Sequence, residues 1–229
     1  MKLSVQRAVA AAVLAIVAGA GAPAFAQSVA VPRPKTVEVS GGVTFVGGYD
    51  FGASNAELTS NAGTSPTFVE FKTTNRLKPG LGLQGRIGFV ITPALAVEGG
   101  VRFTRPTYEV RVTDDFEGAP NTTIEETLSQ YVFDGALVWH ITGARFAGGS
   151  AVPFLYGGAG YLRELHEENA FVEEGIEYHA GGGIKWWFGQ SGRIGIRAEG
   201  GISIRDGGFD FKDGKRMVPV AGASVIYSF

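Results

Sequence analysis

The chain has 229 residues, with 20 Lys plus Arg against 22 Asp plus Glu and a formal net charge of −2, a balance that gives no indication of nucleic-acid binding. Cysteine is absent, which excludes a disulfide framework, a thiolate metal site and a thiol nucleophile. The 16 Phe, 7 Tyr and 3 Trp exclude a disordered chain, and the 35 glycines follow no collagen repeat.

The first 26 residues have the pattern of a secretory signal peptide. Lys2 and Arg7 form a positive start, residues 8–21 are apolar, and Ala24 and Ala26 frame an A-x-A cleavage site. Because the apolar run is shorter than a membrane-spanning helix requires, a retained anchor is the weaker alternative. The pattern therefore predicts export.

Eight alternating segments follow a lead-in of residues 27–35, which we expect to be extended and periplasmic. In each segment apolar residues recur at every second position, which is typical of a β-strand with one apolar face. Most are longer than the roughly 9–11 residues that a tilted strand needs to cross a membrane. The segments are 37–51, 81–91, 95–103, 130–141, 152–163, 176–188, 193–205 and 216–229.

The fifth of these segments is apolar on both faces. Its sequence, PFLYGGAGYL, gives no clear inward side. We expect Phe154, Tyr156 and Leu162 to point outward.

The connections alternate in length, which is typical of outer-membrane barrels with short periplasmic turns and long external loops. An even number of strands then puts both ends of the barrel domain, residues 36–229, on the periplasmic side. Short connections are predicted at 92–94 and 189–192, an intermediate one at 142–151, and long loops at 52–76, 113–126, 164–175 and 206–215.

The last strand ends on an aromatic residue, with Val225, Tyr227 and Phe229 on one face. This ending resembles the final strand of bacterial outer-membrane barrels. With the eight alternating segments and the signal peptide, the chain is similar to the small barrels of the OmpA transmembrane-domain, OmpX and opacity-like type. That resemblance implies an all-β, eight-stranded, antiparallel up-and-down transmembrane barrel in the bacterial outer membrane. It also implies that the ending is read by the barrel-assembly machinery.

The resemblance further implies an aromatic girdle in contact with lipid. A soluble, lipocalin-like barrel is the alternative, with the apolar face around a ligand and the charged face in water. The expected girdle residues are Tyr49, Phe51, Tyr131, Trp139, Tyr178, Trp186, Phe188, Tyr227 and Phe229.

The inward face of the predicted barrel is charged. Eight strands enclose just enough space for side chains, and buried charges must be paired. Pairing in hairpin register predicts Arg86 with Glu98 and Lys185 with Glu199. The sequence thus predicts a salt-bridge core that blocks the lumen, and a gated low-conductance pore is the alternative. The network residues are Glu38, Arg86, Glu98, Arg102, Asp134, His179, Lys185, Arg197 and Glu199.

No catalytic motif is evident. Barrel enzymes of the lipid A deacylase type have a Ser two residues after the His, whereas Ala180-Gly181 follows His179. Ser203 and Glu199 share the inward face of a neighbouring strand, and His140 is expected at the periplasmic rim. We therefore expect no enzyme, no cofactor and no dedicated metal site, with lipid modification as a distant third function.

Two of the long loops are acidic, at 113–126 and 164–175. Solvated charge is the ordinary explanation, and the sharper hypothesis is that these carboxylates share divalent cations with lipopolysaccharide phosphates. The loop at 164–175 has no Lys or Arg; its carboxylates are Glu164, Glu167, Glu168, Glu173 and Glu174.

The predicted role is structural or based on surface contact through the four long loops. Outer-membrane lipids and lipopolysaccharide are the expected partners, and the protein is expected to be a monomer. Passive permeation is the runner-up function.

Overall fold

A computed structural model describes residues 32–58, 68–116, 118–166, 171–189, 191–208 and 215–229. The predicted signal peptide, including Ala24 and Ala26, lies outside the described residues. The described chain contains twelve strands: β1 (Val37–Val46), β2 (Tyr49–Leu58), β3 (Phe68–Leu77), β4 (Gly80–Thr92), β5 (Leu95–Thr104), β6 (Thr107–Thr113), β7 (Thr122–Thr127), β8 (Ser129–His140), β9 (Ala151–His166), β10 (Phe171–Phe188), β11 (Ile194–Gly207) and β12 (Arg216–Ser228).

Eight of these strands close into a barrel in the order β1-β12-β11-β10-β9-β8-β5-β4. Every pair of neighbours is antiparallel and consecutive among the barrel strands. The first and last strands pair from Glu38 with Ser228 to Val46 with Val220. The predicted eight-stranded antiparallel up-and-down barrel is therefore confirmed.

The outer wall of the barrel is apolar and the inner wall is polar. Leu81, Leu137 and Ile194 are 73%, 59% and 54% exposed, whereas Glu98 and Lys185 are 7% and 1% exposed. Alternation along the strands places these two sets on opposite faces. A soluble barrel with its apolar face inside, the alternative from the sequence, is contradicted by this arrangement.

The facing predicted for the fifth segment is wrong. Phe154, Tyr156 and Leu162 lie inside the barrel, at 1%, 7% and 0% exposure, and Leu155 and Tyr161 lie outside, at 49% and 41%. Both sets are apolar, so alternation alone could not choose between them. Packing in the lumen determines which face of the strand points inward, because the Phe154 and Tyr156 rings contact charged side chains of other strands there.

The remaining four strands form a separate sheet, in the order β2-β3-β6-β7. The predicted external loop 52–76 is therefore largely strand, and the predicted loop 113–126 contains the end of β6 and most of β7, all of which project beyond the barrel. The first predicted strand, 37–51, is likewise two strands, because β1 ends at Val46 and β2 belongs to the projecting sheet. We call β2, β3, β6 and β7 the extracellular sheet.

The strands bend out of the barrel at glycine and proline. A Cβ on Gly47 would lie 2.5 Å from the Pro219 ring, and a Cβ on Gly48 would lie 2.3 Å from the Leu77 carbonyl oxygen, so only glycine permits this close approach. Pro79 and Pro106 interrupt the two neighbouring connections, where they cannot donate a ladder hydrogen bond. The bends therefore lie at the boundary between the barrel and the extracellular sheet.

The opposite end of the barrel has the short connections. Thr92 and Leu95 bound the β4–β5 turn, and two single turns of 3-10 helix, Thr142–Ala144 and Ala147–Gly149, connect β8 to β9. We call this end periplasmic, as in outer-membrane barrels. No helix among the described residues is long and apolar enough to cross a membrane.

Candidate functional site

The periplasmic half of the lumen holds a continuous network of ion pairs. Lys185 Nζ lies 2.6 Å from Glu38 Oε2 and 3.0 Å from Glu98 Oε1. Arg197 continues the network, with 2.6 Å between its Nη1 and Glu98 Oε2 and 2.6 Å between its Nη2 and Glu199 Oε2. Each of these side chains is at most 7% exposed.

Arg86 extends this network across the lumen. Its guanidinium lies 3.6 Å from Glu199 Oε1 and 3.3 Å from Asp134 Oδ1. Gln84 Nε2 donates to the same Glu199 Oε1 at 3.1 Å. Seven charged side chains thus form one connected network of ion pairs: Glu38, Arg86, Glu98, Asp134, Lys185, Arg197 and Glu199.

A second cluster fills the extracellular half of the lumen. Glu177 accepts hydrogen bonds from Arg102 on one oxygen and from Arg205 Nε, at 3.0 Å, on the other. Arg205 also donates to Gln130 Oε1 at 3.3 Å, and Gln130 donates to Glu164. Glu177 and Arg205 are fully buried, so each charge is compensated by a direct partner.

All nine residues predicted for the lumen network face the interior, but the two predicted pairs are wrong. Neither Arg86–Glu98 nor Lys185–Glu199 is among the ion pairs of the described residues. Instead, Glu98 on β5 pairs with Lys185 on β10 and with Arg197 on β11, almost opposite in the barrel. The lumen is narrow enough for long side chains to reach across it, and that reach determines the partners.

Three charged members of the extracellular cluster were not predicted as network residues. Glu177 and Arg205 alternate with apolar residues, and their inward facing was readable from the sequence. Glu164 was predicted in a solvated acidic loop, but it is 1% exposed because β9 continues to His166. The acidic cluster at 164–175 is therefore divided, and Glu167 and Glu168 lie outside the described residues.

His179, the remaining predicted member, lies between the two charge clusters. Its ring centroid is 5.9 Å from that of Tyr156, and it is paired in strand register with Ser203. No hydrogen bond joins His179 to Ser203 in the described chain. His140 lies at the periplasmic end of β8, as predicted, but its side chain is wholly buried and not interfacial, which corrects that part of the prediction.

Two aromatic rings fill the space beside the ion pairs. The Arg197 guanidinium lies 4.5 Å from the Phe154 ring centroid, a favourable cation–π distance. A Cβ on Gly183 would lie 2.8 Å from Phe154, and a Cβ on Gly181 would lie 2.7 Å from the Tyr156 hydroxyl. The glycines of β10 thus provide the room that these rings occupy.

Little empty space remains in the interior. The cavity bounded by Glu38, Arg86, Glu98, Lys185 and Arg197 measures about 10 Å³. That is about the space of one water molecule. The two clusters and the aromatic rings therefore occupy both halves of the described lumen.

The ends of the barrel are also covered. At the periplasmic end Pro32 is buried, and Arg33 Nη2 donates to the Ser191 carbonyl at 2.7 Å, which attaches the lead-in to the β10–β11 turn. At the extracellular end a Cβ on Gly208 would lie 2.5 Å from Glu164 Oε2, so Gly208 lies against this buried carboxylate.

An apolar outer wall around a charged, closed interior, with short turns at one end, is the arrangement of outer-membrane barrels. This chain is an eight-stranded barrel with that architecture. No protein-family model and no curated protein matches its sequence.

Solved structures of similar fold are outer-membrane and surface proteins. The outer membrane protein OprG from Pseudomonas aeruginosa is 11% identical with a TM-score of 0.48, covering 86% of this chain and 97% of that one. Ail, the attachment invasion locus protein of Yersinia pestis, is 12% identical with a TM-score of 0.42, covering 86% and 100%. Neisserial surface protein A is 10% identical with a TM-score of 0.45, covering 84% and 97%.

Most of the predicted girdle lies on the outer wall. Trp139, Tyr178, Phe188, Tyr227 and Phe229 are 62%, 46%, 42%, 39% and 69% exposed. The other members of this outward set are Tyr131 and Trp186, both half-buried, and Val225 of the predicted assembly signal also points outward.

Tyr49 and Phe51 do not belong to the girdle, which corrects the prediction. Both lie in β2, and the Phe51 ring centroid is 4.8 Å from Tyr49 and 5.7 Å from Tyr108. They pack with Leu77 and Leu128 where the extracellular sheet meets the barrel. Apolar residues continue to alternate past Gly47 and Gly48, so the sequence does not show that the chain leaves the barrel there.

The extracellular sheet is bound together by exposed ion pairs. Lys78 Nζ lies 2.7 Å from both Glu109 Oε2 and Glu125 Oε1. The hydrogen bond from Lys78 lowers the pKa of Glu109 below its usual value, and the two carboxylates raise the pKa of Lys78. Among the described residues no cluster of three His, Asp or Glu side chains is arranged to hold a metal ion.

Proposed function

We propose that this protein is a sealed outer-membrane barrel with a structural and surface-contact role. The observation that carries the proposal is the interior filled by ion pairs and aromatic rings, in which the cavity between Glu38, Glu98 and Arg197 measures only about 10 Å³. A barrel filled in this way transmits no solute and instead supports the segments that project from it. The chain offers such a segment in the extracellular sheet.

The projecting surface has the composition of a contact site. Phe116, Ile124 and Phe171 are 71%, 60% and 60% exposed beyond the barrel, next to exposed charged residues. Large apolar side chains in such positions contribute to protein contacts. The described parts of residues 52–76, 113–126, 164–175 and 206–215 would present them to a ligand, to lipopolysaccharide or to another cell.

The experiment separates the barrel from the sheet. In cells lacking the gene, the full chain is compared with a variant in which residues 49–77 and 107–127 are each replaced by an Asn-Gly turn. A heat-dependent shift on a gel establishes that each barrel is folded. We expect both chains to restore detergent resistance and only the full chain to restore aggregation of cells.

Two results would contradict the proposal. Deletion of the gene could leave both detergent resistance and aggregation unchanged, which would leave the barrel without a structural role. The trimmed variant could restore aggregation as well as the full chain, which would remove the contact role of the sheet.

A low-conductance passive pore is the second candidate function. It is favoured by the exchangeable partners in the lumen, since Glu98 and Glu199 each contact two cations. The pore would require these pairs to separate. Conductance in a planar bilayer distinguishes the two candidates, and unchanged lipid A mass spectra after gene deletion would reject lipid modification.

A further inference from the structure

The charged side chains of the segments at the periplasmic end of the barrel are all positive. Residues 32–36, 91–97, 141–150 and 189–193 contain Arg33, Lys35, Arg145 and Arg193 but no Asp or Glu. We call these four residues the basic rim. Arg33, Lys35 and Arg193 are exposed, and Arg145 is half-buried.

The basic rim surrounds the barrel rather than forming one patch. Lys35 N donates to the Val90 carbonyl at 2.7 Å, which places Lys35 beside β4. The Arg193 carbonyl accepts from Ser228 N at 2.8 Å, which places Arg193 beside β12. Arg145 lies in the connection between β8 and β9, and Arg33 reaches the β10–β11 turn.

The rim cations form no ion pair within the described chain, unlike Lys72, Arg76 and Lys78 at the other end. Among the ion pairs of the described residues none includes Arg33, Lys35, Arg145 or Arg193. In the extracellular sheet, by contrast, Lys72 lies 2.8 Å from Asp114. The four rim charges are therefore available to an external anion.

Exposed aromatic rings lie next to the basic rim. Trp139, Phe146, Phe188 and Phe229 are 62%, 44%, 42% and 69% exposed and occur within a few residues of the short connections. Aromatic rings of this kind occupy the boundary between head groups and acyl chains. A lipid whose chains contact the outer wall thus has its phosphate at the level of the cations.

We propose that the basic rim binds the head groups of anionic phospholipids in the periplasmic leaflet. Cations beside an anionic leaflet attract its phosphates, and the apolar wall above them accommodates the acyl chains. A free phosphate ion would bind the rim cations but would make no contact with the apolar outer wall. The proposal does not depend on whether the lumen conducts.

The test is lipid retention by the barrel in bilayers of dimyristoyl phosphatidylcholine and phosphatidylglycerol mixed 3:1. The periplasmic variant is Arg33→Gln, Lys35→Gln, Arg145→Gln and Arg193→Gln. The matched control removes the same charge from the other end: Arg76→Gln, Arg105→Gln, Arg111→Gln and Arg163→Gln. After mild detergent extraction, the ratio of the two lipids bound per folded barrel is measured by mass spectrometry.

We expect the wild-type protein and the control to retain phosphatidylglycerol preferentially. The preference of the periplasmic variant should fall about tenfold or more, because each cation near an anionic surface contributes about fivefold. Equal loss in both variants, or no loss in the periplasmic variant, would overturn the proposal. Displacement of the bound lipid by millimolar inorganic phosphate would overturn the assignment to a phospholipid. A heat-dependent gel shift establishes that both variants are folded.

Discussion

The barrel interior and the extracellular sheet both contain ion pairs, but these pairs differ in burial. The side chains of Arg86 and Asp134 in the lumen are 7% and 2% exposed, whereas those of Lys72 and Asp114 in the sheet are 49% and 64% exposed. Exposed pairs are screened by water and contribute little to stability. A buried pair that loses one partner leaves an uncompensated charge, which is strongly destabilising.

From this difference in burial we infer separate roles for the barrel interior and the extracellular sheet. The interior is an interdependent network, since Glu98, Lys185, Arg197 and Glu199 each contact two partners. In the extracellular sheet, by contrast, the ion pairs are local and in contact with solvent. We therefore expect changes in the lumen to alter the folding of the whole barrel, and changes in the sheet to alter only the projecting strands.

The largest expected effect comes from Glu177→Leu. Arg102 and Arg205 would lose their shared buried carboxylate, and the free energy of unfolding should fall by about 3–5 kcal/mol. Urea unfolding followed by the heat-dependent gel shift measures this change. The compensated variant Arg102→Met, Glu177→Leu, Arg205→Met should recover most of the loss. A single variant as stable as the wild-type protein would show that the pairs are not needed.

The two faces of β9 give the next comparison. Phe154→Ala should lower the free energy of unfolding by about 3 kcal/mol, because it leaves a cavity beside Arg197. Leu155→Ala is the matched control on the outer wall, where lipid replaces the lost side chain, and it should cost clearly less. A larger loss from Leu155→Ala would contradict the facing of this strand.

Arg216→Met should affect the sheet and leave the barrel intact. Arg216 Nη1 donates to the Tyr49 hydroxyl at 3.3 Å, and its guanidinium lies 5.3 Å from the Tyr49 ring centroid. Amide hydrogen exchange should become faster in β2 and β3 and remain unchanged in β9 and β10. Faster exchange throughout the barrel would mean that the two regions are not independent.

The smallest effect is expected from pH. Because its folded pKa is lowered, Glu109 stabilises the sheet above its usual value near 4.5, and that contribution is lost as the pH falls through the lowered pKa. The protection of the β6 amides, taken relative to the intrinsic exchange rate at each pH, should therefore fall below about pH 4. Lys78→Met should remove most of this dependence. An unchanged profile in the variant would exclude the Lys78 pair as its cause.

Period-two alternation predicted the eight barrel strands because each has one apolar and one polar face. It failed where that contrast is absent, as in β9, whose two faces are both apolar. It also could not distinguish barrel from sheet, since alternation continues from Val46 to Tyr49. Pro79 and Pro106 were the available signals for the bends, because proline interrupts a strand ladder.

The composition of the lumen was predictable, but its pairing was not. Inward-facing charges follow from alternation along a single strand. Their partners depend on the diameter of the barrel and the stagger between strands, which bring Glu98 to Arg197 across the lumen. Glu164 was misplaced because the sequence does not show how far β9 extends beyond the membrane.

Single-channel recording in a planar bilayer tests the central claim, a sealed lumen, most directly. The wild-type protein is compared with Phe154→Ala/Tyr156→Ala, which removes the two rings from the interior. A sealed lumen predicts no discrete channels for the folded wild-type protein and small, ion-selective openings in the variant. Reproducible wild-type channels whose ion selectivity changes with Arg197→Glu or Glu98→Lys would contradict it.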